Sequence, residues 1–478
     1  MSDRASNERS SPFDFRDHTV FELAADVRAR RRSARELTQH ALDRVAALDP
    51  VYNAFVIVDA DLALAAAAGI DERIAAGDRV GPLAGIPLGV KDLEDVAGYP
   101  TRYGSKLSSL DPVDEDSVVV SRLVAAGCVV IGKTTTPEYG HKGATESLLT
   151  GITRNPWNPD HTAGGSSGGS AAALAAGMVP LATGSDGGGS IRLPAAICGF
   201  SGIKTTQGRV PNGGPNPPGS AHFSVKGPMA LRIADSALAL DSCIGPHPSD
   251  PFSLPHPSSS WFGALGVNRL PSSVVWSPTM GFAEVDREIA GGCGRAIDQL
   301  SDLGVEIIEI DDLWPTDPLQ PWWNLWAALR ARTQGHLRGT AQWEDIDPSL
   351  RFQIEWGLDR VTAGDIVASL DAIHHYSLRL SRAFEQAPLL LTPTAAGQIP
   401  LVGQDGVVNG TPTRGWVKFS YGFNLTRNPA GTVNCGFTSA GMPVGLQVAS
   451  RQLEDVLVIQ ALAAMEDVFE AGRVFPVV

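Results

Sequence analysis

The chain has 478 residues, 43% of them hydrophobic and 19% charged, with a formal net charge of −14. This composition supports a large buried core, while the acidic balance argues against nucleic acid or an anionic membrane as a partner, since both call for a basic face. Five cysteines (Cys128, Cys198, Cys243, Cys293 and Cys435) are scattered without CxxC or Cys/His ligand spacing. Neither a disulfide framework nor a metal site is therefore expected.

The first residues are polar and lack the apolar segment of a secretory leader, so 1–17 reads as a disordered lead-in. No apolar run approaches the roughly 20 residues that span a bilayer. The longest, over 171–179, is alanine-rich and ends at Pro180. A cytoplasmic location is expected.

Residues 18–478 read as one domain. Its N-terminal helices cover 18–78, where Thr19 with Glu22 and Ser33 with Glu36 have the spacing of capping boxes. In the second helix Leu37, Ala41, Val45 and Leu48 make an apolar stripe. A core over 79–245 then alternates helices with short apolar strands, such as a helix over 117–126 followed by a strand over 128–131. A Pro/Ser-rich stretch over 246–260 reads as a surface loop.

The alternation returns with a helix whose apolar face carries Val285, Ile289, Cys293, Ile297 and Leu300, followed by a strand over 305–310. Six of the ten tryptophans lie between Trp314 and Trp356, within a stretch over 310–385 that reads as helical without clear strands and is a candidate substrate cap. The C-terminal part, 386–478, supplies buried strands over 389–391 and 444–448 and a last amphipathic helix. Helix–strand alternation implies an α/β fold with a large mixed, mostly parallel central sheet covered by helices on both faces.

The chemistry concentrates in three segments. Gly164-Gly-Ser-Ser-Gly-Gly-Ser170 leads straight into a helical run of small residues, so it is a helix N-terminus with oriented N–H groups rather than a flexible linker. Gly184-Ser-Asp-Gly-Gly-Gly-Ser-Ile-Arg192 is a second glycine loop, closed by Ser190. Consecutive glycines let backbone N–H groups converge on one point, where they stabilise negative charge on a carbonyl oxygen. A serine hydroxyl needs a base, and none of the ten histidines sits in a recognisable catalytic context. Lys91 follows the apolar run Ile86-Pro-Leu-Gly-Val90, which would carry its amine inside and lower its pKa by desolvation.

These segments resemble the amidase signature family, together with Thr136-Pro-Glu-Tyr-Gly140, Asn155-Pro-Trp-Asn-Pro159 and Gly441-Met-Pro-Val-Gly-Leu-Gln447. The resemblance runs over about 20–472 and is nearest to bacterial aryl acylamidases and urethane-cleaving amidases. It implies a Ser–cis-Ser–Lys triad, with Ser190 as nucleophile, Ser166 as the bridging serine and Lys91 as the base. It also implies an oxyanion hole from the N–H groups of Gly187, Gly188, Gly189 and Ser190.

Ser167 and Ser185 are expected to hydrogen-bond near Lys91 or Ser166, and Asp186 and Arg192 to support the nucleophile loop as an ion pair. The chain carries Gly187 where the family often has a larger residue, so extra space beside the oxyanion is expected. The loop over 207–215 and the Tyr421 to Asn424 region are candidate pocket rims.

Other readings fit less well. Gly164 to Gly168 satisfies G-x-S-x-G, but a nucleophile elbow needs a preceding strand and a late histidine, and none follows His375. No nucleotide-binding loop is present, and a catalytically silent binding fold is disfavoured because all three triad positions are filled. The expected activity is cofactor-free hydrolysis of hydrophobic or aryl amides, extending to esters and carbamates, by a monomer or homodimer. The alternative within the family is the glutamine-hydrolysing subunit of the tRNA-dependent amidotransferase.

Overall fold

The computed structural model describes residues 13–214, 223–267 and 270–478. Most of the expected lead-in, 1–12, lies outside the described residues, as does Pro215 of the candidate rim. Residues 13–17 are ordered rather than disordered. The Asp14 side chain accepts from the Arg16 N–H at 2.9 Å to start a short turn over Phe15–Asp17, and the Phe15 ring is buried. Burial of the ring, together with the Asp14 cap, offsets part of the backbone entropy of ordering the turn.

Both capping boxes form. Thr19 opens the helix Val20–Arg28 and Ser33 opens Ala34–Tyr52, each exchanging hydrogen bonds with the glutamate three residues on. Each such cap is worth about 1 kcal/mol. Leu37, Ala41 and Val45 of the second helix are buried, as their spacing predicts.

Beside three two-stranded sheets, most strands of the described residues form two large mixed ones. The first has spatial order Phe55–Val58, Val129–Thr134, Pro87–Lys91, Leu181–Asp186 and Val225–Met229. Its three inner strands are parallel, and the two outer ones are antiparallel to their neighbours. The second runs Glu306–Glu309, Ser273–Trp276, Leu390–Pro393, Pro443–Ala449, Ala430–Phe437 and Gly202–Lys204. Its first three strands are parallel and the remainder pair antiparallel.

The mixed α/β architecture is thus the expected one, divided into two hydrogen-bonded groups with a larger antiparallel share. The pair Ala430–Phe437 and Pro443–Ala449 shows why: its connection over 438–442 is too short for the crossover a parallel pair needs.

Helices Ala60–Ala76 and Gly168–Ala175 pack on the first sheet, and Arg287–Asp302 and Asp455–Phe469 on the second. The stretch 246–260 has no helix or strand, in keeping with a surface loop. Residues 310–318 are irregular and 319–385 largely helical, with Pro348–Arg360 and Ala363–Gln386 each packed against Leu319–Gln334. No described helix is long and apolar enough to cross a membrane.

Candidate active site

Lys91 ends the strand Pro87–Lys91, every residue of which is buried. Parallel pairing with Leu181–Asp186 brings the carboxyl ends of the two strands side by side, where sites in α/β sheets form. Ser185 and Asp186 therefore lie beside Lys91. The Ser166–Ser167 segment reaches the same point from the N-terminus of Gly168–Ala175, a helix buried along its whole length, and the Gly165–Ser166 peptide bond is cis.

The Lys91 side chain is 0% exposed, and its Nζ lies 2.8 Å from Ser166 Oγ, 2.8 Å from Ser167 Oγ and 2.9 Å from Ser185 Oγ. Burial lowers its pKa to about 7, against the opposing pull of Glu94 and Asp186. Three hydroxyls are the full acceptor set for an ammonium. Once the amine is neutral it donates only twice, so one hydroxyl must turn and donate to its lone pair. The adjoining helix N-terminus, positive in its dipole, also disfavours the charged form.

Ser190 is half-buried and lines the same cavity as Ser166 and Ser185. The Ser167 N–H donates to its carbonyl at 3.3 Å. Lys91 and Ser166 are linked directly, whereas among the described residues no hydrogen bond joins the Ser190 and Ser166 hydroxyls.

Asp186 organises the loop that carries Ser190. Burial raises its carboxyl pKa, but the Arg192 guanidinium and the hydrogen bonds outweigh that and hold it well below the usual carboxylate range. Arg192 Nε and Nη2 each donate to it at 2.9 Å, and the N–H groups of Gly189, Ile191 and Arg192 point at it from 2.8 to 3.4 Å. The expected supporting ion pair is present, with both side chains 0% exposed.

Two members of that network go beyond the sequence expectation. Gln447 Oε1 accepts from Arg192 Nη1 at 2.6 Å, and Asn424 Nδ2 donates to the Asp186 carbonyl at 2.7 Å. Gln447 sits in one of the family-like motifs, whereas Asn424, a candidate rim residue, is instead buried in the support of the loop. From the other candidate rim, Asn212 does line the cavity.

Two loop expectations change. The Gly189 N–H, expected as an oxyanion donor, is committed to Asp186 Oδ1 at 2.8 Å. The N–H groups of Gly187, Gly188 and Ser190 have no partner among the described residues. Gly189 has φ +112°, a conformation that favours glycine, and a Cβ there would also meet Ser420 Cβ at 2.4 Å.

Nor does Gly187 enlarge the cavity, since a Cβ on it would meet the Trp326 ring at 2.4 Å and one on Gly188 would meet Trp322 at 2.6 Å. The tryptophans of the cap helix fill the space that the glycines leave. Trp322 Nε1 also donates to the Gly187 carbonyl at 2.9 Å.

The cavity measures about 1080 Å³ and reaches from Ser190 to the cap. Trp322, Trp323, Trp326, Phe352, Trp356 and Tyr421 form its aromatic side. Neighbouring rings sit 5.6 to 6.5 Å apart in tilted or edge-on pairs. Its charged groups include Lys226, which pairs with Glu94 at 2.7 Å, and Lys142, which pairs with Asp347 at 2.9 Å and Glu146 at 3.0 Å. Among the described residues no His/Cys/Asp/Glu cluster has the makings of a metal site.

A buried lysine beneath three serine hydroxyls, beside a loop with free N–H groups, is equipment for acyl transfer. The Amidase family matches residues 36–459. An acylamidase of Rhodococcus erythropolis is 36% identical, with 94% of each chain covered. A subunit of the glutamyl-tRNA(Gln) amidotransferase of Chloroflexus aurantiacus is 35% identical, over 92% of this chain and 94% of that one. Among solved structures, a bacterial aryl acylamidase belonging to the amidase signature enzymes superposes with TM-score 0.87 at 28% identity, over 98% of this chain and all of that one. The chain belongs to the amidase signature family and is a hydrolase of that kind, homologous to acylamidases.

Proposed function

We propose that the protein cleaves the C–N bond of hydrophobic or aryl amides through an acyl-enzyme, with Ser190 as nucleophile, Ser166 as proton relay and Lys91 as base. The observation that carries this reading is the fully buried Lys91 amine, 2.8 Å from the Ser166 hydroxyl. With its pKa near 7, the amine is neutral in a large fraction of molecules at neutral pH, which suits a general base.

Ser166 takes the proton of Ser190 and passes its own to Lys91. The Ser190 oxygen attacks the carbonyl carbon, and the oxyanion lies against the N–H groups of Gly187, Gly188 and Ser190. Collapse breaks the C–N bond as the Lys91 ammonium returns its proton, through Ser166, to the leaving nitrogen. Water then attacks the ester so formed by the same relay and releases the acid. Gly189 acts in the loop's support through Asp186, with Ser167 and Ser185 holding the amine and Arg192 holding the carboxylate.

No cofactor or metal is required by this chemistry. The aromatic side of the cavity favours hydrophobic or aryl groups. Esters and carbamates present a carbonyl to the same donors, so urethane cleavage belongs to the proposal. The five thiols, none of them in a disulfide, accord with a reducing cytoplasm. We take the acting species to be a monomer or homodimer.

The glutamine-hydrolysing reading needs free opposite charges for an amino acid's carboxylate and amine. Arg330 could meet the carboxylate, but the carboxylates lining the cavity, Glu94, Glu146, Asp347 and Asp405, each already have a cationic partner, which leaves no free anion for the amine among the described residues. Hydrolysis of a 4-nitroanilide series, of matched carbamates and of glutamine is the test. Turnover of anilides by the isolated chain supports the proposal; release of ammonia from glutamine alone, dependent on partner proteins, overturns it.

A further inference from the structure

Among the described residues, four that line the cavity carry a buried polar atom without a partner; Glu94 Oε1 belongs to a carboxylate already paired with Lys226, and the other three atoms come from the cap. Arg330 Nε, Gln353 Oε1 and Trp356 Nε1 are buried without a hydrogen-bond partner, and all three residues line the cavity. They come from the two successive cap helices Leu319–Gln334 and Pro348–Arg360, which pack together. Arg330 is 5% exposed and Gln353 2% exposed, so solvent at the protein surface does not serve them.

Arg330 Nη2 donates to the Tyr139 carbonyl at 2.6 Å, and the guanidinium lies 5.5 Å from the centre of the Trp326 ring. Among the described residues no ion pair involves it. Buried donors and acceptors are normally satisfied, and leaving one unmade is costly, so three on the cap side of one cavity mark a place built for a ligand.

We infer that Arg330, Gln353 and Trp356 form a cap-side subsite for a second, uncharged amide on the substrate, distinct from the one that is cut. The guanidinium and the indole N–H donate to its carbonyl oxygen. Gln353, which can present either end of its own amide, accepts from its N–H. A carboxylate fits less well. The Glu138 carboxylate already acts on Arg330 from the Tyr139 side, its Oε2 accepting from the Asp347 N–H at 2.7 Å. An additional anion there meets like charge, whereas a neutral amide does not. The substrates selected carry two amides joined by an apolar spacer, which the tryptophans cover.

The inference rests on the hydrolase reading above, and the test separates the two. Glutaramoyl, adipamoyl and pimelamoyl 4-nitroanilides, which end in a primary amide, are compared with the plain acyl anilides and with those ending in a carboxylate. At one chain length the amide-ended substrate is expected to exceed both others in kcat/KM by about tenfold, mainly through KM. Arg330→Met is expected to erase that advantage, and Gln353→Leu to reduce it.

If no anilide is hydrolysed, the hydrolase reading fails. If plain anilides are hydrolysed but the terminal amide gives no advantage at any length, or the carboxylate is preferred, the subsite is wrong and the hydrolase reading stands. An advantage that persists in a folded Arg330→Met also overturns it. Should that variant fail to fold, an undiminished advantage in Gln353→Leu does the same.

Discussion

The serine–glycine core and the tryptophan cap meet in one cavity, yet they are built on opposite principles. Lys91 and Asp186 are tightly satisfied: three hydroxyls on one amine, and a carboxylate taking hydrogen bonds from a guanidinium and the loop backbone. In the cap, rings meet at centroid distances of 5.6 Å or more, and polar atoms are left without partners. A saturated network fixes geometry to a fraction of an ångström, as proton relay demands. An aromatic lining with unmet donors fixes little by itself and accepts what shape and hydrogen bonding allow. Chemistry and selectivity are thus held by different interactions in adjoining walls.

The largest effect expected is on the core side. Ser190→Ala should lower turnover by about 10⁴-fold or more without changing the thermal melting curve. Residual activity near that of the wild type would falsify the nucleophile assignment.

Asp186→Ala leaves Arg192 buried and uncompensated and should destabilise the fold by about 3–5 kcal/mol, read from urea unfolding. A loss below about 1 kcal/mol would show that the loop does not depend on the pair.

Lys91→Ala should cost more on an amide than on a matched ester, because only the amine leaving group strictly requires a proton. Equal losses would count against Lys91 as the acid.

On the boundary between the two regions, Trp322→Phe keeps the ring but removes the donor to the Gly187 carbonyl. A several-fold fall in kcat with little change in KM is expected. A rise in KM alone would assign Trp322 to the cap and not to the loop.

The smallest effect is the pH dependence. The active amine is the neutral form, and burial has lowered its pKa to about 7. kcat/KM should therefore rise with pH up to about that value and level off above it. A profile flat across neutrality would mean that Lys91 keeps one protonation state.

The core is far more legible in the sequence than the cap. The run Ile86 to Val90 is apolar enough to read as an interior strand, so the burial of Lys91 follows from its neighbours. The same holds for Ser167 and Ser185, which share local elements with the reacting groups.

The commitment of the Gly189 N–H to Asp186 also has a local signal, because an aspartate three residues before a backbone donor often accepts from it. By contrast, the filling of the space at Gly187 depends on Trp326, far away in the chain. No local pattern could pair those two residues. The helical character of most of 310–385 is readable from composition, but which tryptophans face the loop is not. The division into two sheets is equally hidden, because strands such as Gly202–Lys204 and Ser273–Trp276 are too short to announce their partners.

The contact between Gly187 and Trp326 has a consequence for how such a sequence can change. Neither residue is free to vary alone: a methyl at 187 demands a smaller ring at 326, and a smaller ring at 326 opens a hole beside the reacting carbonyl. Libraries that diversify the cap while holding the loop constant would keep meeting this steric lock, and new specificities should arise from paired substitutions at the two positions.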